Sequence, residues 1–424
     1  MNSSPIRKLA LSINVFFALF LLSLPFGDVV LPGGPAFISP TKLSFILLAA
    51  VFAGTFRAGL SGIFRRSDGW LFLLLISAAL SLVFSALPGV SAMSLLRLAA
   101  MAVLFLIGRF CLSSSVGRSV AAISLIVTGA VMAGLGLYQT LSADTLFGLG
   151  TYDPYQSLVP VESARDPSAI LIYRASGAFS HPNELGFFML GAFAAGFGLL
   201  LHTRNMPLRL ALALVGVAEV ATIFFTFSRS AWLGLALMSM ALLLTVRGRA
   251  WLFFILVFGV FAAFAILPHE GRQAFGFRAT VPQAYDSGRI HSWQAAVNMI
   301  RAHPLTGVGL GTFAERFNEF KPASAQPDRQ QRNDAHNTFL ALSAEAGVFA
   351  GLALAAGIAI GVFLGLRRLR HHARHWDGID PAPAVLIGLL PGLLLNSFPY
   401  SEILWLVLAW CQWDDSIQHS EPGG

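Results

Sequence analysis

Charge is what this sequence has least of. Only 12% of its 424 residues are Asp, Glu, Lys or Arg, against about 25% in an ordinary soluble domain. Lysine is nearly missing: Lys8, Lys42 and Lys321 are the only ones, so the 28 basic side chains are almost all arginine. Cysteine occurs twice, at Cys111 and Cys411, both in or beside apolar segments. Two such residues without metal-ligand spacing exclude a disulfide framework and a cysteine metal centre. No Asp-x-Asp pair and no Gly-x-Ser-x-Gly is present, so the chain offers no clear metal site, and no cofactor is expected.

Apolar residues are what the chain has in quantity. They make up 56% of it, and the mean hydropathy is +0.70. Apolar runs fall at 9–31, 41–56, 69–87, 91–108, 117–139, 183–202, 208–227, 230–246, 250–267, 337–366, 383–398 and 401–413. They predict an all-α polytopic membrane protein of about twelve transmembrane helices. The last two runs, separated by Phe398-Pro399-Tyr400, suit a tight hairpin. No small-x-small cleavage site precedes Pro25, so the first run reads as an uncleaved helix rather than a signal peptide.

The net charge of +7 could suit nucleic acid. The basic residues, however, sit in short connections between apolar runs. Membrane orientation accounts for them there, and no nucleic-acid partner is expected. Placing Arg7/Lys8, Arg57/Arg65/Arg66, Arg109/Arg118, Arg204/Arg209, Arg247/Arg249 and Arg367/Arg368/Arg370/Arg374 in the cytoplasm puts both termini there. Segments 140–182 and 268–336 then become long external loops on a single membrane domain spanning 1–424, the second a cap between the ninth and tenth predicted helices.

Within 268–336, Trp293, Val297 and Ile300 recur at i, i+4 and i+7 and predict an amphipathic helix, closed by Arg301 and His303 and ended by Pro304. Thr306-Gly-Val-Gly-Leu-Gly-Thr312 predicts a flexible turn. It is no dinucleotide fingerprint, because no βαβ unit frames it. Phe313, Phe317 and Phe320 mark a second short helix, and Lys321 to Asp334 is a polar surface segment.

Several residues on the external side are candidates for chemistry. His336-Asn337 stands where an apolar helix begins. A neutral imidazole there can take a proton from a hydroxyl; the competing reading is an interfacial His beside an Asn N-cap. Glu345, within the same run, is an acid in a span and a candidate by position, with a supporting role, holding a neighbouring arginine, favoured. Arg229, in Thr226-Phe-Ser-Arg-Ser-Ala-Trp232, joins two apolar helices with almost no loop. Its guanidinium binds phosphate bidentately or snorkels to the interface. Arg174 and His181 come from YRASGAFSHPNELGFF, where Pro182 and Asn183 suit a helix start. That terminus favours an anion or is simply capped. Arg289 precedes the amphipathic helix, able to close over an anion or to sit solvated in its loop. External arginines, a base and no metal ligands together suit transfer of a glycan from an anionic diphosphate lipid, with inversion at the anomeric centre.

The series Arg174…Gly177-x-Phe179-x-His181-Pro182-Asn183, Ser228-Arg229-Ser230, Arg289…Trp293, His303-Pro304-Leu305-x-Gly307-x-Gly309 and His336-Asn337…Glu345-x-Gly347 resembles the O-antigen ligase and Wzy-type polysaccharide polymerase superfamily. The resemblance covers roughly 170–350 by motif. It implies a metal-independent glycosyltransferase of C-type (GT-C-like) architecture in the bacterial inner membrane, with its active site facing the periplasm and an undecaprenyl diphosphate-linked glycan donor. By motif, Arg229, Arg289 and Arg174 would bind the diphosphate and His336 would activate the acceptor. Asn337, His181 and Glu345 would support them. The acceptor is expected to be lipid A core; a polymerase would instead extend lipid-linked repeat units. From a different class, a transporter of an anionic or lipid-linked substrate stays open on the strength of Glu219, an acid within a predicted span.

Overall fold

In the computed structural model the apolar runs become helices. The structure describes residues 5–27, 29, 39–56, 64–142, 158–160, 171–245, 249–266, 286–325, 334–372 and 380–413. The helices are α1 (Pro5–Ser23), α2 (Pro40–Phe56), α3 (Gly69–Val83), α4 (Pro88–Leu112), α5 (Ser115–Ser142), α6 (Pro182–His202), α7 (Met206–Phe225), α8 (Arg229–Thr245), α9 (Arg249–Ile266), α10 (Asp286–Ala302), α11 (Phe313–Phe320), α12 (Thr338–Ala346), α13 (Val348–His372), α14 (Ala382–Leu395) and α15 (Glu402–Cys411). Two three-residue strands, Leu158–Pro160 and Leu171–Tyr173, pair antiparallel ahead of α6. The protein is an all-α polytopic membrane protein. Among the described residues six helices are long and apolar enough to cross a bilayer, and six further apolar helices are shorter. Most of segment 140–182, together with 268–285 and 326–333 of the second long loop, lies outside the described residues.

One end of the bundle is fastened by arginine. Asp68, just before α3, receives both terminal nitrogens of Arg109 on α4, at 2.7 and 2.8 Å, and both residues are buried. Arg368 at the end of α13 binds Asp380 at 2.8 Å and the carbonyls of Trp410 and Trp413. Arg118 and Arg368 both lie over the Trp413 ring, and Arg65 donates to the Gln412 carbonyl. The basic residues that the sequence assigns to orientation therefore also hold helix ends together.

That basic end fixes the depth of the last hairpin. Helices α14 and α15 begin and end beside Arg368, yet they have only 14 and 10 residues. At 1.5 Å per residue they reach about 21 and 15 Å, short of the roughly 30 Å hydrocarbon layer. Their turn, 396–401, thus stops inside the bundle rather than at its far face. Helix α14 lies against α8 where Gly388 and Gly234 bring the two backbones together, the close approach that small residues allow between membrane helices.

The run 337–366, expected as one helix, breaks at Gly347 into α12 and α13. Gly347 has φ +87°, and a Cβ there would run into the Leu305 carbonyl. Gly307, φ +65°, meets the Glu345 backbone in the same way. The glycine turn expected to be flexible is instead clamped on the α12 terminus. Val308 and Gly309 donate to the Ala344 and Glu345 carbonyls at 2.9 and 3.0 Å, and Val348 donates to Pro304. The predicted amphipathic helix forms as α10, but its most buried positions are Ser292, Ala295, Ala296 and Met299. That face is one residue round from Trp293, Val297 and Ile300, because the small residues let α10 lie close on α12. Phe313 and Phe317 of α11 close the same small core with Ala341 and Ala344.

Candidate active site

The end opposite the arginine clasp collects the starts of α6, α8 and α12 and the finish of α14. One residue joins them. Asn396, the C-cap of α14 and 7% exposed, accepts from Asn183 Nδ2 at 2.9 Å through its Oδ1. Its Nδ2 donates to Ser230 Oγ at 3.3 Å, and its backbone carbonyl accepts from Thr338 Oγ1 at 2.9 Å. Asn183 belongs to the first turn of α6, Ser230 to that of α8 and Thr338 to that of α12. Asn337 adds a bond from its Nδ2 to the Leu394 carbonyl. The shortened α14 makes this possible, since only a turn inside the bundle can reach three helix starts at once.

Each helix start is capped by its own sequence. His181 accepts from the Asn183 N–H through Nδ1 at 2.9 Å, and Pro182 occupies the first position, where no N–H is needed. Asn337 accepts from the N–H groups of Phe339 and Leu340. Ser228 Oγ lies 3.1 Å from Ser230 Oγ beneath the exposed Arg229. Arg174 is only 6% exposed. Its Nε donates to the Thr226 carbonyl at 2.8 Å and one terminal nitrogen to Asn183 Oδ1 at 3.1 Å. It therefore sits behind the α7–α8 turn, tying it to α6, three residues before Arg229.

His336 is held in an unusual backbone. Its φ is +47°, and Phe227, two residues before Arg229, has φ +48°. These are the non-glycine residues with positive φ among the described residues. Such conformations cost on the order of 1–3 kcal/mol each and gather at functional sites. Asp334 Oδ1 accepts the His336 N–H at 3.3 Å, and its Oδ2 lies 3.9 Å from Nδ1, near enough for charge but not for a hydrogen bond. Burial lowers the imidazole pKa below its usual 6.5; Asp334 opposes this and the positive charge of Arg289 adds to it. The ring is thus neutral near pH 7 and 38% exposed, so it is both able to accept a proton and reachable. Glu345 accepts the Phe313 N–H at 3.0 Å and the Gly311 N–H. Its carboxylate caps the start of α11, which pins the glycine turn to α12.

Residues 210–355 match the family described as O-Antigen ligase. A relative, the exopolysaccharide production protein ExoQ of Rhizobium meliloti (strain 1021), is 29% identical over 359 residues, covering 79% of this chain and 72% of the relative. The matched segment holds Arg229, Arg289, His336, Asn337 and Glu345, whereas Arg174, His181, Asn183 and Asn396 lie outside it. The framing side chains thus come from the flanking helices.

Asn396 and Asp334 have no part in the sequence-based site. Asn396 is a polar residue ending the apolar run PGLLLN, and a polar group within a span is itself a functional signal. Asp334 stands two residues before His336, but nothing in the sequence says that the chain turns it back toward the ring. Glu219 of α7 is buried, and its two carboxyl oxygens lack hydrogen-bond partners among the described residues.

Proposed function

We propose that the protein transfers a glycan from a lipid diphosphate carrier, undecaprenyl diphosphate, to a hydroxyl of an acceptor sugar, without a metal ion. The observation that carries this reading is a neutral, reachable His336 under the influence of Arg289, at the same end of the bundle as Arg229. The acceptor hydroxyl oxygen attacks the anomeric carbon from the face opposite the diphosphate. His336 takes the hydroxyl proton as the new glycosidic bond forms. The bond from the anomeric carbon to the diphosphate oxygen breaks, and the lipid diphosphate leaves with the electron pair. Arg229 and Arg289 bind that departing charge, and inversion follows from the single displacement. Arg174, tied to Thr226 and Asn183, positions Arg229 rather than reaching the diphosphate itself. In this reading 268–336 caps the site on the periplasmic face of a bacterial inner membrane, with both termini cytoplasmic.

The family description, an O-antigen ligase, favours the ligase reaction, and for it we take lipid A core as the acceptor. A second reading is favoured by the printed name of the relative, an exopolysaccharide production protein. There the acceptor is another lipid-linked repeat unit and the product a longer chain. Purified protein given lipid diphosphate-linked glycan, with and without lipid A core, separates the two: a ligase needs the core, a polymerase elongates the donor alone. His336→Ala abolishes transfer in either case, and Arg229→Ala or Arg289→Ala raises the donor KM, with Lys restoring only part. Full transfer by His336→Ala refutes the base assignment, and loss of activity on adding a chelator refutes the metal-free reading.

A further inference from the structure

We infer that the cavity between α1, α2, α4, α6 and the α14–α15 turn seats a second lipid substrate, an amphiphile with an anionic phosphorylated head that carries the acceptor sugar. This rests on the transfer reaction proposed above. The cavity has a volume of about 510 Å³, the size of a ligand site. One part of its wall is apolar, with Phe45, Met101, Phe187, Leu393 and Ile403; another is polar, with Lys42, Arg97, Glu184 and Tyr400. None of Arg229, Arg289 and His336 lines it.

Arg97 is the decisive residue. It lies nine residues into α4, about 14 Å from the helix start, with the exposed Met93 and Leu96 beside it. An arginine inside a span calls for an anionic partner. Among the described residues neither Arg97 nor Lys42 forms an ion pair. The carboxylates of the cavity are already compensated. Glu184 accepts from Ser180 Oγ at 3.1 Å in the first turn of α6, and Glu402 lies in the first turn of α15, where the helix dipole favours negative charge. Lys42, in the first turn of α2, has the dipole against it. The unmet need of the cavity is thus for negative charge, and its apolar wall is suited to a hydrocarbon chain.

The cavity adjoins the transfer site without merging with it. Glu184 and Ser397 line it, and each follows a member of the Asn183–Asn396 pair. An occupant with its head on Arg97 and Lys42 therefore stands one residue from the side chains that align α6, α8 and α12. A sugar borne on that head can reach past the pair toward His336, while the donor diphosphate occupies Arg229 and Arg289.

Binding and transfer test this separately. Full-length protein in detergent is titrated with dioctanoyl phosphatidic acid, with dioctanoylglycerol as neutral control, and bound lipid is counted by native mass spectrometry. The double variant Arg97→Ala/Lys42→Ala weakens phosphatidic acid binding by about tenfold or more. Ala100→Trp, which fills the cavity, blocks it. Arg97→Lys/Lys42→Arg retains it, showing that the alanine effect is one of charge, and Arg229→Ala leaves it unchanged. In transfer assays the alanine double variant raises the acceptor KM and leaves the donor KM as it was. Unchanged phosphatidic acid binding in the alanine double variant overturns the proposal, as does binding lost in Arg229→Ala. An unchanged acceptor KM beside weakened binding also overturns it, and makes the occupant a membrane phospholipid instead. Wild-type protein that binds the probe but transfers no glycan to any lipid-linked acceptor brings down the transfer reading, and the acceptor assignment with it, while leaving the anionic lipid site standing.

Discussion

Replacing Asn396 with leucine separates alignment of the site from stability of the bundle. The change keeps the number and branching of side-chain heavy atoms and removes three side-chain hydrogen bonds: one accepted from Asn183 and two donated, to Ser230 and to the Gly392 carbonyl. Interhelical hydrogen bonds in membranes average about 0.6 kcal/mol each, so the stability loss is about 2 kcal/mol. The backbone carbonyl of residue 396 still receives Thr338, so α12 keeps one tether. The starts of α6 and α8 lose theirs. Misplacement of a catalytic constellation by about 1 Å costs on the order of a hundredfold in rate. The variant should therefore elute as a monodisperse protein with a slightly lowered melting temperature and transfer glycan about a hundredfold more slowly. Initial rates at saturating donor and acceptor, beside a thermal unfolding curve in the same detergent, make the comparison. Transfer within a few-fold of wild type would refute the idea that this asparagine sets the geometry. So would a melting temperature so low that the rate loss only mirrors unfolding.

In the proposed reaction the pH dependence of transfer reports on His336. Because its pKa lies below 6.5, the neutral base persists as pH falls through 6.5, and the rate drops only below that value. Asp334→Asn removes a charge that raises the pKa and moves this acid limb lower still; Arg289→Ala removes one that lowers it and moves the limb up, as pH–rate profiles of kcat/KM would read out. Shifts of the same sign in both variants would exclude His336 as the titrating group. At the other end of the bundle, Arg109→Leu strands the Asp68 carboxylate and should cost roughly 3–5 kcal/mol of stability, seen as a large fall in melting temperature. Gly307→Ala places a side chain against the Glu345 backbone at a positive φ, costing at least ~1–2 kcal/mol, and should loosen the glycine turn and increase protease access to 303–312.

The sequence by itself determined the all-helical membrane fold. Apolar length is a local property, and the helices fall close to the runs from which they were expected. Local caps were legible for the same reason: His181 and Asn337 accept from N–H groups two or three residues away, and Pro182 fills a first-turn position that needs no N–H. Arg229, Arg289 and His336 stood out because polar residues are rare in such a chain. Partnership is what the sequence could not supply. Arg174 reads there as another anion ligand and only packing turns it inward onto Thr226. Glu345, expected to hold an arginine, caps α11, which is separated from it by more than 20 residues of chain. Arg97 looks like one more charge in an apolar run until the cavity beside it is seen. The depth of the α14–α15 turn decided the rest. It follows from where both helices are anchored, on Arg368 and Trp413, and from how few residues remain to cross the bilayer. Helix content is written in nearest neighbours, whereas the convergence of three helix starts on Asn396 depends on distances that only the packed bundle sets.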